Sequence, residues 1–118
     1  MYIPGREPVY STNGIVCSIS PQAVSVGLGI LSSDGNAFDA IVAMAAVEAV
    51  TTPVGCGLGG EPFGIFYHAK SGKTWGMTGS GRAPSMADKE YFTNLGYDSL
   101  PLTGPIAAAI PGEIHALE

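Results

Sequence analysis

Apolar and polar positions change their spacing several times along the chain, and each change marks an element. "GIVCSIS", 14–20, alternates small and apolar residues and predicts a short buried strand. Ser20 before Pro21 then signals a helix start, because the serine oxygen can accept an orphan amide while proline at the first helical position sacrifices no hydrogen bond. The helix predicted over 21–35 puts Ala23, Val26, Gly27, Ile30 and Leu31 on one face and ends at Gly35. Gly27 and Gly29 weaken it locally, which implies close packing against another backbone. "NAFDAIVAMAAVEAV", 36–50, is the strongest helical stretch, with Asn36 as cap, Asp39 in the first turn and alanine dominating the rest. Its apolar residues cover nearly every face, so it is expected in an interior, packed on two sides. Proline ends it at "VTTP".

Beyond the glycine-rich stretch 55–60, "FGIFYHA" (63–69) and "KTWGMTG" (73–79) predict two strands joined by the glycine-containing turn "KSG". Ser85 or Asp88 can start a short helix toward Phe92, a further strand is expected near 106–110, and another helix begins at "PGE". Residues 1–12, with Pro4, Gly5 and Pro8, read as an irregular arm. The order strand, helix, helix, strand, strand, strand fits helices layered on a mainly antiparallel sheet, class α+β.

Composition narrows the partners. At 118 residues, 46% hydrophobic and only 13% charged, the chain supports one compact segment whose surface is unusually apolar, as expected of a piece covered by something else. A net charge of −5 with five basic residues, Arg6, Lys70, Lys73, Arg82 and Lys89, offers no patch for nucleic acid. The apolar run near 37–50 is interrupted by Asp39 and Glu48 and is shorter than the roughly 20 residues a bilayer requires, so no membrane partner is expected. The opening residues lack the pattern of a secretory signal, which points to the cytoplasm, or to the periplasm or exterior if a leader has been removed.

The chemistry-bearing residues are few. Cys17 and Cys56 allow one disulfide, but in small apolar surroundings they read as small hydrophobes, and no spacing suits a metal. The glycines at 55, 57, 59 and 60 precede a strand, not a helix, and no lysine follows until Lys70, which argues against a phosphate cradle. They form either a wall of backbone amides beside a small substrate or a tight connection. A Cys56 nucleophile lacks a base at hand, and His68 and His115 read as surface or packing residues. Arg82, in "GSGRAP" after a strand, carries a planar fork that matches a carboxylate. It is either a substrate clamp or half of an ion pair with a nearby acid.

Taken together, residues 14–73 resemble the start of the large subunit of γ-glutamyltransferases (γ-glutamyltranspeptidases) and their cephalosporin-acylase and amidohydrolase relatives. The resemblance runs through Ser20 and Pro21, "GNAFDA" at 35–40, Pro53, "GLGG" at 57–60 and "YHAKSGK" at 67–73, and continues in "AP" at 83–84 and "PG" at 111–112. It implies an N-terminal-nucleophile hydrolase of αββα sandwich fold, with this chain as the opening segment. It further implies a precursor that cuts itself to expose a threonine whose α-amino group serves as base, forming an acyl enzyme from a γ-glutamyl amide such as glutathione and passing the acyl group to water or an amine. That threonine lies outside this chain, since Thr51 and Thr52 precede a proline and do not match the processing site. The expected partners are the remainder of the large subunit and the small subunit, and no cofactor or metal is called for. In typical members the arginine that holds the substrate α-carboxylate stands three residues before Ala-Pro. Here Ser80 occupies that position and Arg82 adjoins Ala83. Arg82 is therefore the candidate substrate-binding residue, with a sibling acylase or amidohydrolase acting on another carboxylated amide, or a non-catalytic scaffold, as the rival readings.

Overall fold

In the computed structural model, which describes residues 7–118, the first helix begins at the serine–proline pair. Ser20 is extended (φ −99°, ψ 114°), its Oγ accepts from the Ala23 amide at 3.3 Å, and Pro21 opens α1, Pro21–Ser32. The chain then turns through Asp34, which adopts the left-handed conformation at φ 63°. α2, Ala37–Thr51, starts with a reciprocal capping box: Asn36 Oδ1 accepts from the Phe38 and Asp39 amides, and Asp39 Oδ2 accepts from the Asn36 amide at 2.9 Å.

α1 and α2 pack through small residues. Ala23, Ala40 and Met44 form the buried apolar core, and Gly27 is also buried. A Cβ added at Gly27 would stand 2.5 Å from the Met44 sulfur and 3.1 Å from a Val16 methyl, so the glycine admits side chains. The close backbone packing expected at Gly27 and Gly29 is thus a side-chain contact at the first, while the second faces open space. The outer face of α2 is uncovered: Phe38, Ile41, Val42 and Val50 are exposed, so the helix packs on one side rather than two. Residues 14–20 form no β ladder, in contrast to the predicted strand, because alternation makes a segment extended but a strand also needs a hydrogen-bonded partner. They are held by polar groups instead. Ser18 donates to one oxygen of Glu48, the Cys56 thiol donates to the other at 3.4 Å, and Ser20 and Thr51 share a hydroxyl–hydroxyl bond of 2.9 Å. Residues 7–12 carry no regular element; the rest of the expected arm, with Arg6, lies outside the described residues.

A second compact unit runs from Gly57 to Glu118. Its centre is an antiparallel hairpin, β1 (Phe63–His68) and β2 (Lys73–Thr78), in the register Phe63↔Thr78 through His68↔Lys73. Gly72 closes the turn at φ 64°, a conformation that favours glycine. Asp88 caps α3, Lys89–Asn94, by accepting from the Tyr91 amide at 2.8 Å. The strand expected near 106–110 is replaced by a 3-10 turn, Pro105–Ala107. Proline at its first position has the fixed φ that suits a helical turn and lacks the amide a ladder would use. α4, Glu113–Leu117, follows the "PGE" turn. Helices and an antiparallel sheet together give class α+β. Among the described residues no helix is long and apolar enough to cross a membrane.

Candidate functional site

The end of the hairpin opposite its turn is where three backbone segments meet. The Gly79 amide donates to the Pro62 carbonyl at 2.7 Å, extending the ladder by one step and aiming residues 79–82 away from the sheet beside 60–62. The Gly60 carbonyl accepts from the Gly112 and Glu113 amides at 3.3 and 3.1 Å, which brings in the start of α4. The approach is too close for side chains. A Cβ at Gly81 would lie 1.5 Å from the Ile110 carbonyl oxygen, and one at Gly112 would lie 1.8 Å from that of Gly79. Main chain therefore packs directly on main chain, and the loop carrying Ser80 and Arg82 is fixed at its base.

Over this seam lies a depression of about 680 Å³, lined among others by Ser80, Arg82, Ile110 and His115. Arg82 is exposed, with no hydrogen-bond or ion-pair partner among the described residues. The alternative in which it is spent on a neighbouring acid is thus not what its surroundings show. Ser80 has a different neighbour: its hydroxyl donates to Glu61 Oε2 at 3.5 Å. Glu113 is buried, with its carboxylate against Gly60, where an added Cβ would lie 2.6 Å from Oε2. The depression thus holds one cation, unpaired among the described residues, on a floor of closely packed main chain, and a guanidinium so placed has the planar donor fork that matches a carboxylate. Among the described residues no group of three or more His, Cys, Asp or Glu could hold a metal.

The other sequence candidates resolve locally. The glycine stretch closes a turn in which the Gly60 amide donates to the Gly57 carbonyl at 2.7 Å, and it leads into β1, so it is a tight connection whose close approach is concentrated at Gly60. The Cys56 thiol serves Glu48, and Thr51 donates to the Val47 carbonyl at 3.0 Å at the end of α2. His68 bonds Ser71 across the hairpin turn at 2.8 Å. Sequence reasoning missed Glu61, Glu113 and the placement of His115 beside Arg82. Glu61 meets Ser80 from far along the chain, and its only local signal was an acid set against the glycine turn.

Comparison with known proteins gives a consistent picture. The family model described as gamma-glutamyltranspeptidase matches residues 23–118. The chain is 36% identical over 111 residues to the glutathione hydrolase proenzyme of Escherichia coli (strain K12), covering 92% of this chain and 19% of that protein. It is 35% identical over 112 residues to the glutathione hydrolase-like YwrD proenzyme of Bacillus subtilis (strain 168), covering 94% and 21%. Among solved structures it is similar to a gamma-glutamyltranspeptidase from Pseudomonas nitroreducens, with a TM-score of 0.77 and 31% identity over 92% of this chain and 32% of that one. The chain spans about a fifth of the length of these curated relatives.

Proposed function

The chain belongs to the γ-glutamyltranspeptidase family, and from that premise we propose that it forms the N-terminal part of an enzyme that cleaves γ-glutamyl amides, glutathione among them, and passes the acyl group to water or an amine. The nucleophile in this reading is an N-terminal threonine outside these residues, using its own α-amino group as base. This segment contributes recognition: Arg82 clamps the donor carboxylate. The observation that carries the assignment is an arginine without a partner among the described residues, at the rim of a depression whose floor is closed by glycine contacts.

The uncovered surface supports a role inside a larger assembly. The chain exposes 9608 Å², whereas a self-contained globule of its 12.0 kDa exposes about 6000 Å², and two separate globules of half that mass about 7200 Å². Phe63, Ile65 and Tyr67 on one face of β1, and Phe38, Ile41, Val42 and Val50 of α2, are among the exposed large apolar side chains. The remainder of the large subunit and the small subunit are the proposed cover.

The test is the full-length processed enzyme on a γ-glutamyl anilide and a simple acyl amide. Arg82→Ala should raise KM for the γ-glutamyl donor about tenfold or more, the scale of a lost charged hydrogen bond. An unchanged KM removes the clamp. Ser80, with Glu61 beside it, favours one second reading, a sibling amidase whose carboxylated donor is not a γ-glutamyl group. Preference for such a donor in the same assay identifies it.

A further inference from the structure

Glu113 is the one charged side chain among the described residues that is buried, at 8% exposed, and its carboxylate makes no hydrogen bond or ion pair with any of them. Its own amide and that of Gly112 donate to the Gly60 carbonyl, at 3.1 and 3.3 Å, so the backbone at the start of α4 is engaged elsewhere. The carboxylate lies where Gly60 lacks a side chain: a Cβ there would stand 2.6 Å from Glu113 Oε2 and 2.8 Å from the Gly57 carbonyl oxygen. Two acceptors therefore converge on one spot. The Gly57 oxygen accepts from the Gly60 amide at 2.7 Å and keeps a second lone pair. The neighbouring Glu61 adds another carboxylate, and no described Lys, Arg or His pairs with either acid. A buried carboxylate without a partner is costly, and further acceptors do not relieve it. Glu113 does not line the depression that Arg82 borders, which separates it from the proposed donor site.

We infer that Glu113 is the buried anchor for a cationic side chain, a lysine or arginine, carried by the part of the protein outside these residues. The cation meets the Glu113 carboxylate and the Gly57 carbonyl, and so fixes the covering segment to the seam between 57–60 and the start of α4. A cation suits the spot better than a single amide, because it brings several donors to the converging oxygens and offsets the charge of two acids. The inference rests on the reading above that the chain is one part of a larger enzyme.

The test is thermal unfolding of the full-length processed enzyme, a readout independent of turnover. Glu113→Gln keeps the shape and a carbonyl acceptor, so it still satisfies a neutral N–H partner or a water but leaves a cation uncompensated. It should lower the apparent Tm by about 5 °C. Glu113→Ala should fall at least as far, and acetate, but not acetamide, should restore part of the loss, with no such difference in the unmodified enzyme. Arg6→Ala, which removes the one basic side chain of residues 1–118 that lies outside the described residues, should leave the Tm unchanged. The inference is overturned if Glu113→Gln unfolds together with the unmodified enzyme, if acetate and acetamide act alike on Glu113→Ala, or if Arg6→Ala reproduces the loss. Where Glu113→Ala does not fold, the Glu113→Gln comparison decides alone. An enzyme that shows these shifts but does not cleave a γ-glutamyl anilide fails the acyl-transfer reading and leaves the anchor standing.

Discussion

In the helical unit, Gly27 of α1 faces the Met44 thioether and a Val16 methyl; in the glycine-rich unit, Gly81 and Gly112 face the carbonyls of Ile110 and Gly79. All three glycines allow two segments to approach, but the neighbour differs in what it can do when crowded. A thioether on three rotatable bonds swings aside, whereas a carbonyl moves only if the chain moves. The contact between helices is therefore adaptable, and the one beneath Ser80 and Arg82 is not. Under the proposed reading the unyielding contact lies beneath the loop that carries Arg82, and a recognition site loosened by about an ångström loses much of its effect.

Substitutions at three glycines test that difference. Gly81→Ala should have the largest effect, because its methyl would overlap the Ile110 oxygen. The expected cost is on the order of 3 kcal/mol, together with loss of donor binding and faster amide hydrogen exchange over 79–82. No side-chain change at position 110 should repair it, and repair by Ile110→Ala would show that the contact is not a backbone one. Gly27→Ala adds a methyl against Met44 but gains helix propensity of about 1 kcal/mol, so thermal unfolding should report a net cost of about 1–2 kcal/mol. Combining it with Met44→Ala should cost less than the sum of the two single changes, and strict additivity would contradict the adaptable contact. Gly29→Ala meets nothing within 4 Å and should stabilise by up to about 1 kcal/mol, observed as a raised Tm with unchanged KM.

The parts of the fold that were legible in the sequence are those whose cause is local. Ser20 with Pro21, and Asn36 with Asp39, start their helices through bonds to residues two or three positions away, and "KSG" closes the hairpin within its own turn. Where the cause is remote, the reading failed. Residues 14–20 and 106–110 have strand-like composition, but pairing depends on a second segment, and at 105–107 proline chemistry decided the outcome. The outer face of α2 was correctly read as apolar, but nothing within the helix says which neighbour covers it. For the site, Arg82 was visible because cations are scarce and glycines flank it. Glu61 was not, since its relation to Ser80 exists only once β1 and β2 are in register and the ladder runs on through Gly79.

The capping box of α2 has a consequence for how the polypeptide is made. α1 and α2 are joined by residues 33–36 alone, and the contacts between them all fall within residues 21–51, so the pair needs no later part of the chain to form. During synthesis this helical pair can close before the following chain has been translated, because N-terminal units fold as they emerge. The apolar outer side of α2 is then exposed on the nascent chain. Exposed apolar surface of this kind is aggregation-prone, so chaperone occupancy of the nascent chain should rise once residues 21–51 have emerged.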